Sequence, residues 1–126
     1  MNVRQSVVVR RDLQMSPGLL AAQVAHLSTE FILRHTNDLG QIKEWNDVKT
    51  QWMHSPVLSV LAVNTPEELD VLKKLADEVG VKYMEWEDTI PSQIFAGRFL
   101  EVVVGVAFGP DDDEKIKQVT GTLPLY

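Results

Sequence analysis

The fold is decided by residues 7–31, which read VVVRRDLQMSPGLLAAQVAHLSTEF. The β-branched run at residues 7–9 is typical of a strand that is buried on both of its faces. Ser16 is a good helix N-cap and Pro17 is favoured at the first helical position, so a helix is predicted from there to about residue 35. A buried strand followed by an amphipathic helix indicates an α/β domain.

The predicted helix carries two neighbouring stripes of side chains. The first stripe is apolar and is expected to pack on a sheet, because its members recur with helical spacing. It consists of Leu20, Val24, Leu27 and Phe31. The second stripe lies one step around the helix and consists of Leu19, Gln23, His26 and Glu30. Its polar members share a face at the margin of burial, where such residues are more often hydrogen-bonding partners than catalytic groups.

The rest of the chain continues the alternation of strands and helices. Further strands are predicted at residues 57–63, 81–86 and 99–108, and further helices at residues 65–79 and 112–120. Residues 36–55 predict a short helix or an ordered excursion, and residues 122–126 an extended tail. These elements predict one domain over residues 1–126, an α/β fold with a mixed, mostly parallel four-stranded sheet and helices on both faces.

Composition limits the class of protein. The chain has 126 residues, of which 44% are hydrophobic, enough for one core of the usual domain size of about 100–150 residues. It has no cysteine, which excludes disulfides, thiolate nucleophiles and zinc–thiolate sites. Its N-terminus lacks the apolar run of a signal peptide, and no apolar run approaches the roughly 20 residues of a membrane span. We expect a soluble, cytoplasmic protein without membrane contact.

The formal net charge of −6 argues against nucleic acid as a partner, because phosphate binding depends on Lys and Arg. The charge is unevenly spread, however. Residues 1–54 carry six Lys and Arg against five Asp and Glu, whereas residues 55–126 carry six against thirteen. A local basic face near Arg4, Arg10, Arg11 and Arg34 is therefore one interpretation of the charges. A mildly acidic, solubilising surface is the alternative interpretation of most of them.

The common catalytic and cofactor motifs are missing from the sequence. The histidines at positions 26, 35 and 54 have neither HxxxH nor HExxH spacing, so no metal site is predicted. The acidic run at residues 111–114 fits the N-terminus of the last predicted helix better than a cation site. No GxGxxG, Walker loop or GxSxG elbow is present. We predict neither a metal nor an organic cofactor.

The remaining polar candidates follow the third predicted strand. Asp88, Ser92 and Gln93 fall in a predicted loop over residues 87–97. Polar groups at such positions often build the sites of α/β proteins, although an ordinary polar loop has the same appearance. We expect any active surface to lie where this loop meets the second helix stripe.

Several separated segments carry a resemblance to a known family. Residues 7–15 read VVVRRDLQM, Gln23 follows two alanines and precedes His26, residues 66–69 read PEEL, residues 88–93 read DTIPSQ, and residues 119–126 read VTGTLPLY. In this order, and across nearly the whole chain, these segments resemble the type II peptidyl-tRNA hydrolase family of archaea and eukaryotes.

The resemblance implies an activity and a set of roles. Members of the family cleave the ester between a peptide and the terminal ribose of tRNA, so peptidyl-tRNA would be the partner, and a homodimer is implied as well. Asp88 would orient or polarise the attacking water, and Ser92 would stand in for the family threonine as a hydroxyl donor. The pocket would be shaped by Gln23, His26 and Gln93, and RNA would be contacted by Arg10, Arg11 and Arg98.

The chain departs from the family at positions where the family carries lysine. Before its Ala-Ala-Gln motif the family has Gly-Lys-Gly-Lys, whereas residues 16–19 here read SPGL. Leu19 therefore replaces a functionally important lysine, and Gln14 and Leu58 align with two others. A leucine neither screens phosphate nor stabilises an oxyanion, so the activity is expected to be lost or altered.

Two inserted segments bear on the same question. The longer one, residues 40–54, contains Lys43, Lys49 and His54, which would supply replacement cations. Its Trp45 and Trp52 would instead cover the pocket or a dimer surface. The shorter one, near residues 98–101, places Arg98 close to the candidate site.

Three functions follow from these observations. The leading hypothesis is a divergent peptidyl-tRNA hydrolase. The second is a non-catalytic binding module that uses the same pocket, now lined by Leu19 and Leu58, for a small ligand or a protein partner. The third is a hydrolase of another ester or amide, with Asp88 and His26 as its acid–base pair.

Overall fold

The structure, a computed structural model, describes residues 2–39, 43–92 and 98–126. In these three segments, four strands form one sheet in the order β2-β1-β4-β3. They are β1 (Val3–Arg10), β2 (Leu58–Val63), β3 (Tyr83–Ser92) and β4 (Arg98–Asp112). β1 pairs with β2 in parallel, and β4 is antiparallel to both of its neighbours.

The sheet is mixed, as predicted, but the expectation that it is mostly parallel is wrong. Within the described segments, the β1–β2 pair is the parallel one. β3 ends at Ser92 and β4 begins at Arg98, and parallel neighbours need a connection of about a dozen or more residues. β3 and β4 can therefore only be antiparallel.

The predicted loop over residues 87–97 is also wrong over its first half. β3 continues to Ser92, so Asp88 lies on a strand rather than in a loop. Pro91 is tolerated in this strand because β3 is at the edge of the sheet, where a missing N–H need not break a ladder. The second half of the predicted loop lies outside the described residues.

Helices cover both faces of the sheet. They are α1 (Pro17–Leu39), α2 (Lys43–His54), α3 (Pro66–Val79) and α4 (Asp113–Thr120), and a short 3-10 turn, Arg11–Leu13, links β1 to α1. α1 runs past its predicted end, and α2 shows that the insertion contains a helix rather than only an irregular excursion. Within the described ranges, no helix is long and apolar enough to cross a bilayer.

Helix α3 is capped at both ends. The hydroxyl of Thr65 accepts a hydrogen bond from the N–H of Glu68 at 3.3 Å, and the Glu68 carboxylate accepts one from the N–H of Asn64 at 3.0 Å. These contacts satisfy donors that the first helical turn leaves free. Gly80 ends the helix with a φ of 87°, a left-handed conformation that glycine adopts without steric cost.

β1 separates two hydrophobic layers. Val7 and Val9 pack with Leu27 and Phe31 of α1 on one face, and Val8 packs on the other face with residues of α3 and α4. All three valines are fully buried, which confirms the strand predicted to be covered on both sides. The same packing fixes the rotation of α1 and turns its second stripe toward β3.

Candidate functional site

Gln23 connects α1 to β3. Its side chain is 1% exposed, and its Nε2 donates a hydrogen bond to Oδ2 of Asp88 at 2.9 Å. The apolar stripe of α1 packs against the sheet. Gln23 belongs to the second stripe, beside the apolar one, and its side chain therefore reaches β3 at the edge of the sheet. The structure thus brings together Gln23 and Asp88, which are 65 positions apart.

Trp86 completes this contact. Its Nε1 donates a hydrogen bond to Oε1 of Gln23 at 2.8 Å, so both ends of the buried amide have a partner. Trp86 and Asp88 are two residues apart on β3, and alternate residues of a strand point to the same face. Sequence reasoning placed Trp86 only at the end of a predicted strand. Continuing that strand through Asp88 would have put both residues on one face.

His26 lies over Trp86. The two rings stack with centroids 4.6 Å apart and planes 13° from parallel, and His26 itself is exposed. The guanidinium carbon of Arg34 lies 5.6 Å from the centroid of the Trp86 ring, within range of a cation–π contact. Arg34 also forms an ion pair with Glu30 at 3.4 Å. The indole of Trp86 therefore contacts Gln23, His26 and Arg34 of α1.

The carboxylate of Asp88 is held at both oxygens. Oδ2 accepts from Gln23, and Oδ1 accepts from the backbone N–H of Thr89 at 2.8 Å. Asp88 is half-buried, and each carboxylate oxygen has a further lone pair for a second donor, such as water. In the part of the chain that the structure describes, no ion pair includes Asp88. The arrangement can orient a water molecule, but its described contacts include no cation.

Two predicted site residues, Ser92 and Gln93, lie at the end of the described part of β3 or beyond it. The backbone of Ser92 pairs with Arg98 at the end of the β3–β4 hairpin. The side chain of Ser92 and the whole of Gln93 are outside the described residues. Their roles therefore stay predictions.

Among the described residues, none of the three arginines predicted to contact RNA forms an ion pair with Asp88. Arg10 forms an ion pair with Asp12 at 2.8 Å and donates to the carbonyl of Val103. Arg11 donates to the carbonyl of Leu125 and lies over the ring of Tyr126. Arg98 is exposed at the start of β4. Arg10 and Arg11 thus hold the end of β1 and the chain terminus.

The two leucines that the resemblance aligns with family lysines have different surroundings. Leu19 packs against the core layer between α1 and the sheet. Leu58 lines a shallow, mostly apolar groove of about 600 Å³ on the flank facing β2. That groove is lined chiefly by Pro17, Leu20, Ala21, Val24, Leu58 and Val60. Leu19 is not among the residues that line this groove, so the groove is not the predicted pocket lined by both leucines.

The described residues offer no metal centre. Among them, no group of three or more His, Asp and Glu side chains is close enough together to hold an ion. His26 contacts an aromatic ring and Asp88 contacts hydrogen-bond donors.

Comparison with known proteins gives a consistent result. The family model described as peptidyl-tRNA hydrolase PTH2 matches residues 3–126. A peptidyl-tRNA hydrolase of Nanoarchaeum equitans is 35% identical over 123 residues, which cover 97% of this chain and 98% of that protein. The corresponding enzyme of Haloquadratum walsbyi is 35% identical over 125 residues, covering 98% of this chain and 100% of its own.

One solved structure has a similar fold. A protein of unknown function from Agrobacterium tumefaciens superposes with a TM-score of 0.58 at 13% sequence identity, covering 100% of this chain and 98% of that one. At this identity, the likeness concerns the fold alone. The archaeal relatives and the family model are the matches that bear on the site.

Proposed function

The chain belongs to the peptidyl-tRNA hydrolase PTH2 family, and from this premise we propose that it hydrolyses the ester between a peptide and the terminal ribose of tRNA. The observation that carries the proposal is the pair of hydrogen bonds that hold Asp88, from Nε2 of Gln23 at 2.9 Å and from the N–H of Thr89 at 2.8 Å. A carboxylate held in this way has a defined direction for its remaining lone pairs, which is what a water-orienting group needs.

The proposed reaction uses water and no cofactor. Asp88 accepts a hydrogen bond from the attacking water and takes up its proton as the water oxygen bonds to the ester carbonyl carbon. The bond between that carbon and the ribose oxygen then breaks, and the proton is passed to the ribose oxygen. The products are a free peptide carboxylic acid and a tRNA with a free ribose hydroxyl.

The other assigned residues have supporting roles in this proposal. Gln23 holds Asp88, and His26 shapes the adjoining wall of the pocket. The hydroxyl of Ser92 donates to the oxyanion of the tetrahedral intermediate, helped by Gln93, since such donors stabilise charge that develops in the transition state. Arg10, Arg11 and Arg98 are the proposed contacts to tRNA phosphates.

The same proposal places the protein in translation in the cytoplasm, with peptidyl-tRNA as its partner. A homodimer also belongs to the proposal, and sedimentation equilibrium at micromolar concentration tests it. A mass of about twice 14.2 kDa is expected, and the mass of one chain would refute the dimer.

The test of the enzymatic proposal is cleavage of diacetyl-lysyl-tRNA. Wild-type protein is expected to release free tRNA at a rate well above the uncatalysed one, and Asp88→Asn to lose about a hundredfold or more, the usual contribution of a group that handles protons. Glu87→Gln is the matched control, because it removes the neighbouring, exposed carboxylate of the same strand. Absence of turnover by micromolar wild-type protein would refute the proposal.

A second candidate function is a non-catalytic binding module. The observation that favours it is the apolar groove between α1 and β2, where Leu58 is 43% exposed at a position that aligns with a family lysine. A groove of this kind suits a small apolar ligand or an apolar side chain of a partner. Titration with tRNA separates the two candidates, since tight and steeply salt-dependent binding would contradict the module.

A further inference from the structure

We infer that Trp86 is a positioning residue for Asp88, an inference that rests on the proposed hydrolase function. The indole of Trp86 has one polar atom, Nε1, which can only donate a hydrogen bond. The atom that it contacts on Gln23, 2.8 Å away, must therefore be the amide oxygen. This leaves the amide nitrogen facing Asp88, 2.9 Å from Oδ2.

Burial makes this orientation hard to replace. Gln23 is 1% exposed, so a lost partner is poorly replaced by bulk water. Without the indole N–H, the amide has two choices. It keeps a buried carbonyl without a donor, or it flips and points that carbonyl at the carboxylate of Asp88, where two acceptors repel.

The geometry of β3 suits a single bridging amide. Trp86 and Asp88 are two residues apart, so their Cα atoms are about 6.8 Å apart and their side chains share a face. One amide with a hydrogen bond at each end spans a gap of this size. β3 therefore carries both the carboxylate of Asp88 and the indole of Trp86, which orients the amide of Gln23 that donates to that carboxylate.

Trp86 also touches the other polar residue of the α1 stripe. Its ring stacks on His26 at a centroid distance of 4.6 Å, one helical turn from Gln23. The stack and the hydrogen bond are separable, because phenylalanine keeps an aromatic ring but has no N–H. Trp86→Phe therefore removes the positioning contact and leaves most of the packing.

The first test is kinetic. Trp86→Phe is expected to lower kcat for diacetyl-lysyl-tRNA about three- to tenfold, the worth of one hydrogen bond, and to leave KM within about twofold. Tyr83→Phe is the matched control, since it removes another aromatic hydrogen-bond donor of β3, a hydroxyl that donates to the carboxylate of Asp77 on α3 at 3.3 Å. In an Asp88→Asn background, Trp86→Phe is expected to add no further loss, because residues that act as one unit are not additive.

The second test needs no catalytic activity. The side-chain N–H protons of Gln23 are identified in an NMR spectrum by their absence from Gln23→Leu. In the wild type one of them is expected to exchange slowly with water because it is bonded to Asp88. Trp86→Phe and Asp88→Asn are both expected to accelerate that exchange at least fivefold, and Tyr83→Phe to leave it unchanged.

The outcomes are distinct. An unchanged exchange rate in Trp86→Phe, or a kinetic loss that adds fully to that of Asp88→Asn, would overturn the inference. If the wild type proves inactive, the proposed function fails, and the exchange rates alone decide the role of Trp86. If Trp86→Phe does not fold, Trp86→His keeps a ring with an N–H donor. A folded Trp86→His with rapid exchange would count against the inference, and retained protection would support it.

Discussion

Helix α1 has two flanks that differ in almost every physical respect. On the flank facing β3, Gln23 is buried and uses both ends of its amide, toward Trp86 and toward Asp88. On the flank facing β2, an apolar groove of about 600 Å³ lies open beside Leu58. The β3 flank is held by hydrogen bonds, which fix the direction of the side chains. The β2 flank offers apolar surface, which imposes no such direction.

This difference shows where a reaction can be supported. A buried polar group that satisfies all its partners has one orientation, and catalysis depends on holding groups in one orientation. An apolar groove gains free energy from burying surface but orients its occupant weakly. We therefore place the chemistry on the β3 flank and any apolar contact with substrate or partner on the β2 flank.

The largest effect expected from breaking this comparison is on the β3 flank. Gln23→Leu removes the donor to Asp88, and we expect the rate of peptidyl-tRNA hydrolysis to fall about a hundredfold, as small displacements of a catalytic group often cause. Val24→Ala, the next residue and part of the groove wall, is expected to change that rate less than about twofold, a margin far smaller than one lost catalytic contact. Equal losses in the two variants would show that the flanks do not differ in function.

A smaller effect is expected from converting the groove. Leu58→Lys restores a cation at 43% exposure, and the dependence of log Kd for tRNA on log salt is expected to steepen by about 0.7–0.9, one phosphate contact. Fluorescence anisotropy at several salt concentrations measures this slope. Val71→Lys, on the exposed surface of α3 at 64% exposure, is the matched control. The same change in both variants would mean that the groove does not face tRNA.

The smallest effect concerns the contacts at the start of β2. Arg4 donates to Ser59, next to Leu58, and forms an ion pair with Asp113 at 2.6 Å. The hydrogen bond from Arg4, followed by the one from Lys117, lowers the pKa of the Asp113 carboxyl. The folded state thus favours the charged form of Asp113. This preference stabilises the folded state fully above the ordinary carboxylate pKa, and the stabilisation is lost as the pH falls through the lowered pKa of Asp113.

Asp113→Asn is expected to lower the free energy of unfolding by less than about 1 kcal/mol near neutral pH, because the pair is partly exposed. The difference from wild type should vanish as the pH falls below the lowered pKa of Asp113. Urea unfolding at a series of pH values measures it. A difference that grows toward acid pH would contradict the role of this ion pair.

Much of the β3 flank could be predicted from the sequence. Helical spacing alone put Gln23 and His26 on one stripe beside the buried face of α1, because the period of a helix is regular. The strand Val7–Val9 was equally predictable, since it follows from a β-branched run. Asp88 was selected by its position after a strand and by the resemblance to a known family.

The contacts that finish the site could not be predicted in the same way. The sequence predicts that the third strand ends at Trp86, whereas β3 continues to Ser92. Pro91 favours a loop in a sequence-based prediction, so the continuation that puts Trp86 and Asp88 on one strand was missed. The register of β3 against β4 also shifts between Trp86 and Glu87, and a shift of one residue changes which neighbours a side chain meets. The different surroundings of Leu19 and Leu58 likewise depend on where α1 sits on the sheet. Such features are set by tertiary packing rather than by local sequence.

The most direct measurement of the central claim is the single-turnover rate of peptidyl-tRNA hydrolysis for Asp88→Asn and Leu58→Ala, measured beside the wild type. These variants alter one residue on each flank of α1. We expect Asp88→Asn to lose about a hundredfold or more and Leu58→Ala to stay close to the wild-type rate. A wild-type rate in Asp88→Asn, or a comparable loss in Leu58→Ala, would contradict the claim that the chemistry resides on the β3 flank.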